Sequence, residues 1–181
     1  MLKVNFTIEK ILVKLSDFMN LKFKNPCEDD FLKLYDFVLD CPPLESYPEH
    51  FYKIILRYFP KTTVFLRNKN LIVGFVFGIP SQKDKDLIFL WQIGIDKNMR
   101  GSSVSKNLIK EFEKKVKENG FKKIELTIDP ENIASKKFFE KNDYKNVSSK
   151  EKDTIRVFGN LAIKDFYKPG RHFMLYQKKL D

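Results

Sequence analysis

Cysteine and histidine are scarce in this chain, with two of each among 181 residues. Cys27 and Cys41 form neither a zinc-type spacing nor a secreted disulfide framework, and His50 and His172 stand alone. No metal site is therefore expected, and a reducing, cytoplasmic setting is the default. Long apolar runs are missing as well. The longest uncharged stretch, Leu71 to Gln82, contains Gly and Pro and falls short of the roughly 20 residues of a membrane-spanning helix. Glu9 and Asp17 interrupt the first apolar segment, which argues against a signal peptide. Arginine is rare too: only Arg57, Arg67, Arg100, Arg156 and Arg171 among 34 basic residues. Nucleic-acid readers gather arginine on one face. Here lysine is spread over every expected element, often beside Glu, so the net charge of +10 marks a solvated surface and nucleic acid is not expected as a partner. A basic field of this kind also draws in small polyanions.

What remains is ordinary globular material, 43% hydrophobic and 32% charged, with 18 phenylalanines that should make the core aromatic. The length suits one domain. Residues 1–20 are expected to be an extension, with Ile8, Ile11, Leu12, Leu15 and Met19 at helical spacing; such a helix packs on the domain or meets a second subunit in a homodimer. From Leu21 to the end the expected order is β α α β β β α β α β β. Leu21 to Lys24 is a first strand, and Phe31, Leu34, Tyr35 and Val38 mark one face of a helix. Ser46 with Glu49 is a capping-box signature for a second helix ending near Arg57. Thr62 to Arg67 and Leu71 to Ile79 form a hairpin about Asn68-Lys69-Asn70. Leu87 to Ile95 has the continuous apolar character of a strand buried on both faces. Val104, Leu108, Phe112 and Val116 then recur every four residues in a helix stopped by Gly120. Lys123 to Ile128 is a strand, and Asp129-Pro130 is expected to open the helix that carries Phe138 and Phe139. Tyr144 to Val147 and Phe173 to Gln177 are the last strands, and Ser148 to Pro169 has no clear pattern.

The stretch richest in chemistry runs Trp91-Gln92-Ile93-Gly94-Ile95-Asp96 into Lys97-Asn98-Met99-Arg100-Gly101-Ser102-Ser103-Val104-Ser105-Lys106. A strand enters a turn of small residues from which a helix starts. The first amides of a helix lack internal partners and lie at the positive end of its dipole. Small residues allow a phosphate close to them. Arg100 and Lys106 can add charge-assisted hydrogen bonds to a diphosphate. The alternative is a plain strand–turn–helix connection with a serine-rich cap.

Arg100-x-x-Ser103-x-Ser105 resembles the coenzyme A signature of the GNAT superfamily of N-acetyltransferases, an Arg or Gln followed by x-x-Gly-x-Gly/Ala. Serine replaces the usual glycine at Ser103. A second signature agrees: Asn132-Ile133-Ala134-Ser135 through Phe139-Glu140-Lys141-Asn142-Asp143-Tyr144 resembles the family's Asn-x-x-Ala/Ser…Tyr-Glu-Lys-x-Gly-Phe. The resemblance implies a single α/β GNAT domain, with a mixed, mostly antiparallel sheet flanked by helices, over residues 21–181. It implies acetyl-coenzyme A as cosubstrate, held by Ile93, Gly94, Ile95, Arg100, Gly101, Ser103, Val104, Ser105, Lys106, Asn132, Ser135 and Phe139. Asn132 would touch the pantetheine arm and Phe139 would lie beside the thioester sulfur. Many relatives carry tyrosine there as an acid for the departing thiolate, and Phe139 has no hydroxyl to offer.

Cys41-Pro42-Pro43-Leu44-Glu45, Leu90-Trp91-Gln92-Ile93, Glu125-x-Thr127-Ile128-x-Pro130 and Gly170-x-His172 resemble the L-2,4-diaminobutyrate acetyltransferases within that superfamily. By position, Glu45, Trp91 and His172 would bind a small diamine. The family's acidic segment after the histidine is absent here, where Phe173-Met174-Leu175-Tyr176 follows. An alkylammonium needs a base before it can attack a carbonyl, and Glu45 and Glu125 are the catalytic candidates. Backbone amides of Ile93–Ile95 would polarise the acetyl carbonyl. Each residue also has a plain structural role available. Glu45 would solvate its loop, Trp91 would pack, His172 would satisfy a local hydrogen bond, and Glu125 would face a wet cleft or pair with lysine. Acetylation of a protein N-terminus, a lysine or a polyamine is the alternative within catalysis, and an inactive acyl-coenzyme A-binding module is the alternative outside it.

Overall fold

The computed structural model describes residues 20–180, so the helix expected over the first twenty residues lies almost wholly outside the described residues. The strands are β1 (Leu21–Lys24), β2 (Thr63–Asn68), β3 (Leu71–Pro80), β4 (Leu87–Ile95), β5 (Lys123–Ile128), β6 (Lys145–Asn146), β7 (Thr154–Val157), β8 (Asn160–Lys168) and β9 (Arg171–Lys179). The helices are α1 (Phe31–Leu39), α2 (Glu49–Tyr58), α3 (Ser103–Glu118) and α4 (Ile133–Glu140). Two compact units are present, and their boundary cuts β3, β4 and α3. The first runs up to Phe77 and takes in Gln92–Phe112; the second holds Gly78–Trp91 and Glu113 onward.

In the first unit β1 pairs antiparallel with β2, from Leu21↔Asn68 to Lys24↔Phe65. β2 pairs antiparallel with β3 around a two-residue turn at Lys69 and Asn70, with a bulge at Leu66/Arg67. The Asp96 N–H reaches the Val73 carbonyl at 2.9 Å and so joins the end of β4 to β3. The periodic face of α1 is buried at Leu34 and Val38, and α2 buries Tyr52, Ile55 and Leu56. Part of the phenylalanine content goes into the core as expected: Phe65, Phe75, Phe77, Phe112 and Phe139 are buried, while Phe23, Phe158 and Phe166 are exposed. Phe75 and Phe77 stack at 5.9 Å between ring centroids, with Phe37 edge-on to Phe75 and Phe51 tilted on Phe77.

The second unit carries the parallel pair, Leu87↔Lys123 to Phe89↔Glu125. β5 then pairs antiparallel with β9 along its whole length, Lys123↔Lys179 to Ile128↔Met174. β8 and β7 continue the sheet outward from β9, and β6 pairs with β9 as well. Along β5 the side chains alternate, with Ile124, Leu126 and Ile128 buried and Glu125 and Thr127 half-buried on the opposite face. Helix α3 ends in a Schellman motif. Phe121 N–H bonds the Val116 carbonyl and Gly120 N–H the Lys117 carbonyl, with Gly120 at φ +88°.

Three sequence expectations need correction, and one segment left open proves to be structured. β4 is not buried on both faces: Ile88, Leu90, Gln92 and Gly94 are buried, while the residues between them are partly or wholly exposed, so it alternates like any half-buried strand. α2 is not capped by Ser46. Pro48 is the N-cap, and its ring carries no acceptor for the first-turn N–H groups, so the helix starts without a side-chain cap. α4 starts at Ile133 under an Asn132 cap rather than at Asp129-Pro130. Asp129 spends its carboxylate on the Glu131 N–H at 2.9 Å, which makes a separate turn before the helix. The unpatterned segment from Ser148 holds a hairpin, β7–β8. Its strands alternate weakly because only Ala162 and Ile163 are fully buried in it.

Two positions show opposite demands on backbone and space. Asp143 sits at φ +69° where α4 closes with Tyr144 N–H on the Phe139 carbonyl and Asp143 N–H on the Glu140 carbonyl. That left-handed position suits glycine, so Asp143→Gly should raise stability by about 1 kcal/mol in urea denaturation. A Cβ on Gly94 would instead lie 2.6 Å from Phe75 Cε1 and 3.2 Å from Leu44 Cδ2. Gly94→Ala has to push a buried ring aside, and a loss of about 1–3 kcal/mol is expected with an unchanged m-value.

Candidate active site

Ten of the expected site residues fall in the first unit. Ile93, Gly94 and Ile95 end β4. Lys97–Met99 make a single 3-10 turn capped by Asp96, whose Oδ1 accepts the Asn98 N–H at 2.8 Å. Arg100 is extended, Gly101 turns the chain at φ +72°, and α3 begins at Ser103. A side chain at Gly101 would meet nothing within 4 Å, so the space beside this turn is open. Ser102 Oγ donates to the Met99 carbonyl at 2.6 Å and accepts the Val104 N–H at 3.2 Å. One of the amides expected to meet a phosphate is thus capped by a serine. Ser103 and Lys106 are exposed and Ser105 is half-buried. An exposed helix start with lysine and arginine on it fits a diphosphate.

Arg100 is laced to the loop that precedes α2. Its Nη2 donates to Cys41 Sγ at 3.2 Å and its Nε to the Ile95 carbonyl at 3.3 Å. The Cys41 thiol, buried, donates to the same carbonyl at 3.2 Å. Four residues on, Glu45 is exposed, and its carboxylate accepts from the Tyr47 hydroxyl at 3.4 Å. Its backbone carbonyl accepts from Gln92 Nε2 at 2.6 Å. Tyr52 lies below, accepting the Tyr47 N–H at 3.2 Å, and burial raises its hydroxyl above the ordinary tyrosine range. It therefore stays protonated at neutral pH.

The remaining six fall in the second unit. Asn132 Oδ1 accepts the Ser135 N–H at 3.0 Å, which makes these two residues the helix cap. Phe139 is 2% exposed, edge-on to Phe138 and Tyr144. Trp91, expected in a buried strand, is 38% exposed and stands edge-on to Phe89. Glu125 pairs with neither lysine nor open water alone: Gln177 Nε2 donates to its Oε1 at 2.6 Å. Thr127 shares a hydrogen bond of 3.0 Å with the Tyr167 hydroxyl. His172 Nδ1 accepts the Asp165 N–H at 3.0 Å, and the Asp165 carboxylate accepts the Gly170 N–H at 2.7 Å. Asp165 is at φ +51°, inside the register shift between β8 and β9, so His172 pins an irregular hairpin.

Gln92, Cys41 and Tyr167 were not among the expected site residues. Gln92 was detectable as an amide in an otherwise apolar run, at the same parity as Ile88, Leu90 and Gly94. Cys41 and Tyr167 offered no such signal, because their partners Arg100 and Thr127 lie tens of residues away.

Among known proteins, the model of the Acetyltransferase (GNAT) family matches residues 31–144. The L-2,4-diaminobutyric acid acetyltransferase of Vibrio parahaemolyticus is 29% identical over 124 residues, 68% of each chain. That of Wolinella succinogenes is 29% identical over 119 residues, 65% of this chain and 69% of the relative. Among solved structures, diaminobutyrate acetyltransferase EctA from Paenibacillus lautus, in complex with L-2,4-diaminobutyric acid and coenzyme A, superposes with a TM-score of 0.67 at 19% identity. The match covers 88% of this chain and 95% of that one. Ard1 from Thermoplasma volcanium gives 0.72 at 14% identity, covering 90% and 99%. At these identities the structural likeness establishes the α/β fold. Among the described residues no helix is long and apolar enough to cross a membrane.

His172→Ala removes the acceptor for the Asp165 amide. Because a net hydrogen bond is worth about 1 kcal/mol, hydrogen exchange at Asp165 should quicken roughly fivefold while amides of α3 stay as protected as before.

Proposed function

Because the chain belongs to the GNAT acetyltransferase family, we propose that it transfers an acetyl group from acetyl-coenzyme A to one amine of L-2,4-diaminobutyrate or a closely related small diamine. The single observation that carries the acceptor class is the set of curated relatives, each named for that amino acid and aligned over about two thirds of its length. The cosubstrate supplies an acetyl group activated as a thioester. Everything else falls to the protein.

The open turn at Gly101 and the start of α3 suit the diphosphate, with Arg100 and Lys106 supplying positive charge. Arg100 is held from one side by Cys41 and the Ile95 carbonyl, which leaves Nη1 for an anion. Amides at Ile93–Ile95 polarise the acetyl carbonyl. Asn132, already the cap of α4 through its Oδ1, retains two Nδ2 N–H donors for the pantetheine amides. Phe139 supplies apolar contact and no proton, so the departing thiolate leaves unassisted or takes a proton from water.

Of the two carboxylates, Glu45 suits proton removal better. It is exposed on a loop held at both ends, at Cys41 through sulfur and at Glu45 through its own carbonyl. Glu125 already accepts a short hydrogen bond from Gln177, and withdrawing that carboxylate would strand the amide. Trp91 and His172 contribute walls rather than chemistry. Acceptor specificity, a cytoplasmic location and any dimer through the N-terminal extension belong to the same proposal.

Thiol release from acetyl-coenzyme A in the presence of L-2,4-diaminobutyrate, beside β-alanine, spermidine and an N-terminal peptide, tests the acceptor. Turnover with the diamine well above the others is expected; turnover of the peptide alone would move the assignment to protein acetylation. Glu45→Gln should lower kcat/KM at neutral pH by roughly a hundredfold or more, as loss of a general base does, and leave coenzyme A affinity in place. Arg100→Ala should weaken coenzyme A by roughly tenfold in calorimetry, the share of one charge-assisted hydrogen bond.

A further inference from the structure

Three buried side-chain atoms among the described residues have no hydrogen-bond partner: Gln92 Oε1, Glu113 Oε1 and Tyr144 Oη. The last two sit together: burial and then the neighbouring Glu113 raise the pKa of the Tyr144 hydroxyl, and Lys178 donates to Glu113 at 2.9 Å while lying over the Tyr144 ring. They form a local network in the core of the second unit. Gln92 is different. It is 8% exposed, on the strand that bears the expected carbonyl-polarising amides, and two positions before Gly94.

The orientation of its carboxamide is fixed by chemistry. The Glu45 carbonyl can only accept, so the group 2.6 Å from it is the Nε2 amino group, and Oε1 must face away. A residue serving only to fasten the loop would satisfy both ends, because an orphaned buried acceptor costs about 1–3 kcal/mol. The Tyr52 hydroxyl, which accepts the Tyr47 N–H at 3.2 Å, also meets the Gln92 side chain, and the Glu45 carboxylate is close enough to act on that hydroxyl. A donor with several N–H groups and no acceptor of its own complements a carboxamide oxygen and a carboxylate side by side. An alkylammonium is such a donor.

We propose that Gln92 is a positioning residue for the acceptor: Nε2 holds the Glu45 loop on β4, and Oε1 receives an N–H from the acceptor's ammonium or amine. This deepens the assignment of a small diamine made above and rests on it. Discrimination would follow from the same arrangement. An amine alkylated so that it has no N–H to give would leave Oε1 unpaired and bind worse.

Two measurements test it. In steady-state kinetics with acetyl-coenzyme A and L-2,4-diaminobutyrate, Gln92→Met should raise the acceptor KM roughly tenfold or more while the acetyl-coenzyme A KM stays within about threefold. Gln92→Glu, which keeps an oxygen acceptor, should retain more acceptor affinity than Gln92→Met. An acceptor KM unchanged in Gln92→Met, with a lowered melting temperature, would reduce Gln92 to a structural pin and overturn the proposal. In wild-type protein with nitrogen-labelled glutamine, the Gln92 side-chain amide resonance should shift on saturation with L-2,4-diaminobutyrate in the presence of coenzyme A. A silent resonance overturns the proposal even if neither variant folds. Wild-type turnover of the diamine separates the two levels: turnover with a silent Gln92 sinks only this inference, whereas no turnover of any amine sinks the enzymatic assignment.

Discussion

The hydrogen bond from Gln92 to the Glu45 carbonyl is the contact on which the rest of the candidate site depends. It is one of a chain of contacts that lace a proline-rich loop, the end of a strand and the start of a turn. Cys41 donates to the Ile95 carbonyl, and Arg100 donates to Cys41 and to that same carbonyl. Gly94 lets the strand come close to Leu44 and Phe75, which no residue with a Cβ could do without displacing them. Loop, strand and turn therefore cannot move independently.

The second unit works by different means. Its core is a six-pair ladder of β5 on β9, with Ile124, Leu126 and Ile128 against the buried parity of the sheet. Polar side chains on the other parity are bonded in pairs: Glu125 with Gln177, Thr127 with Tyr167. Such side-chain pairs keep half-buried polar groups hydrogen-bonded. The hairpin after it is irregular, and His172 stabilises the irregularity through the Asp165 amide. The histidine is thereby tied into the backbone of that hairpin.

How much of this was legible in the sequence follows from the range of each force. The helical faces of α1 and α3 and the hairpin at Lys69 were readable because periodicity and turn chemistry act over a few residues. The turn of small residues before α3 was readable for the same reason. Helix starts were misplaced at Ser46 and at Asp129 because several capping residues lie in a row, and tertiary packing decides which is used. β7 and β8 went unseen since only Ala162 and Ile163 are deeply buried there, which leaves little alternation to detect. The roles of Cys41, Gln92 and Tyr167 depend on partners 47 residues away for Gln92, 54 and 59 for Cys41, and 40 for Tyr167. No local pattern encodes a contact across that distance.

The proposed chemistry requires that the Gly101 turn and the first turn of α3 bind the diphosphate of coenzyme A. Calorimetric titration of the folded chain with coenzyme A, repeated at rising salt, measures this directly. Saturable binding with one site per chain, weakening as salt screens Arg100 and Lys106, is the predicted result. A chain that is folded by circular dichroism yet gives no saturable heat would contradict the account.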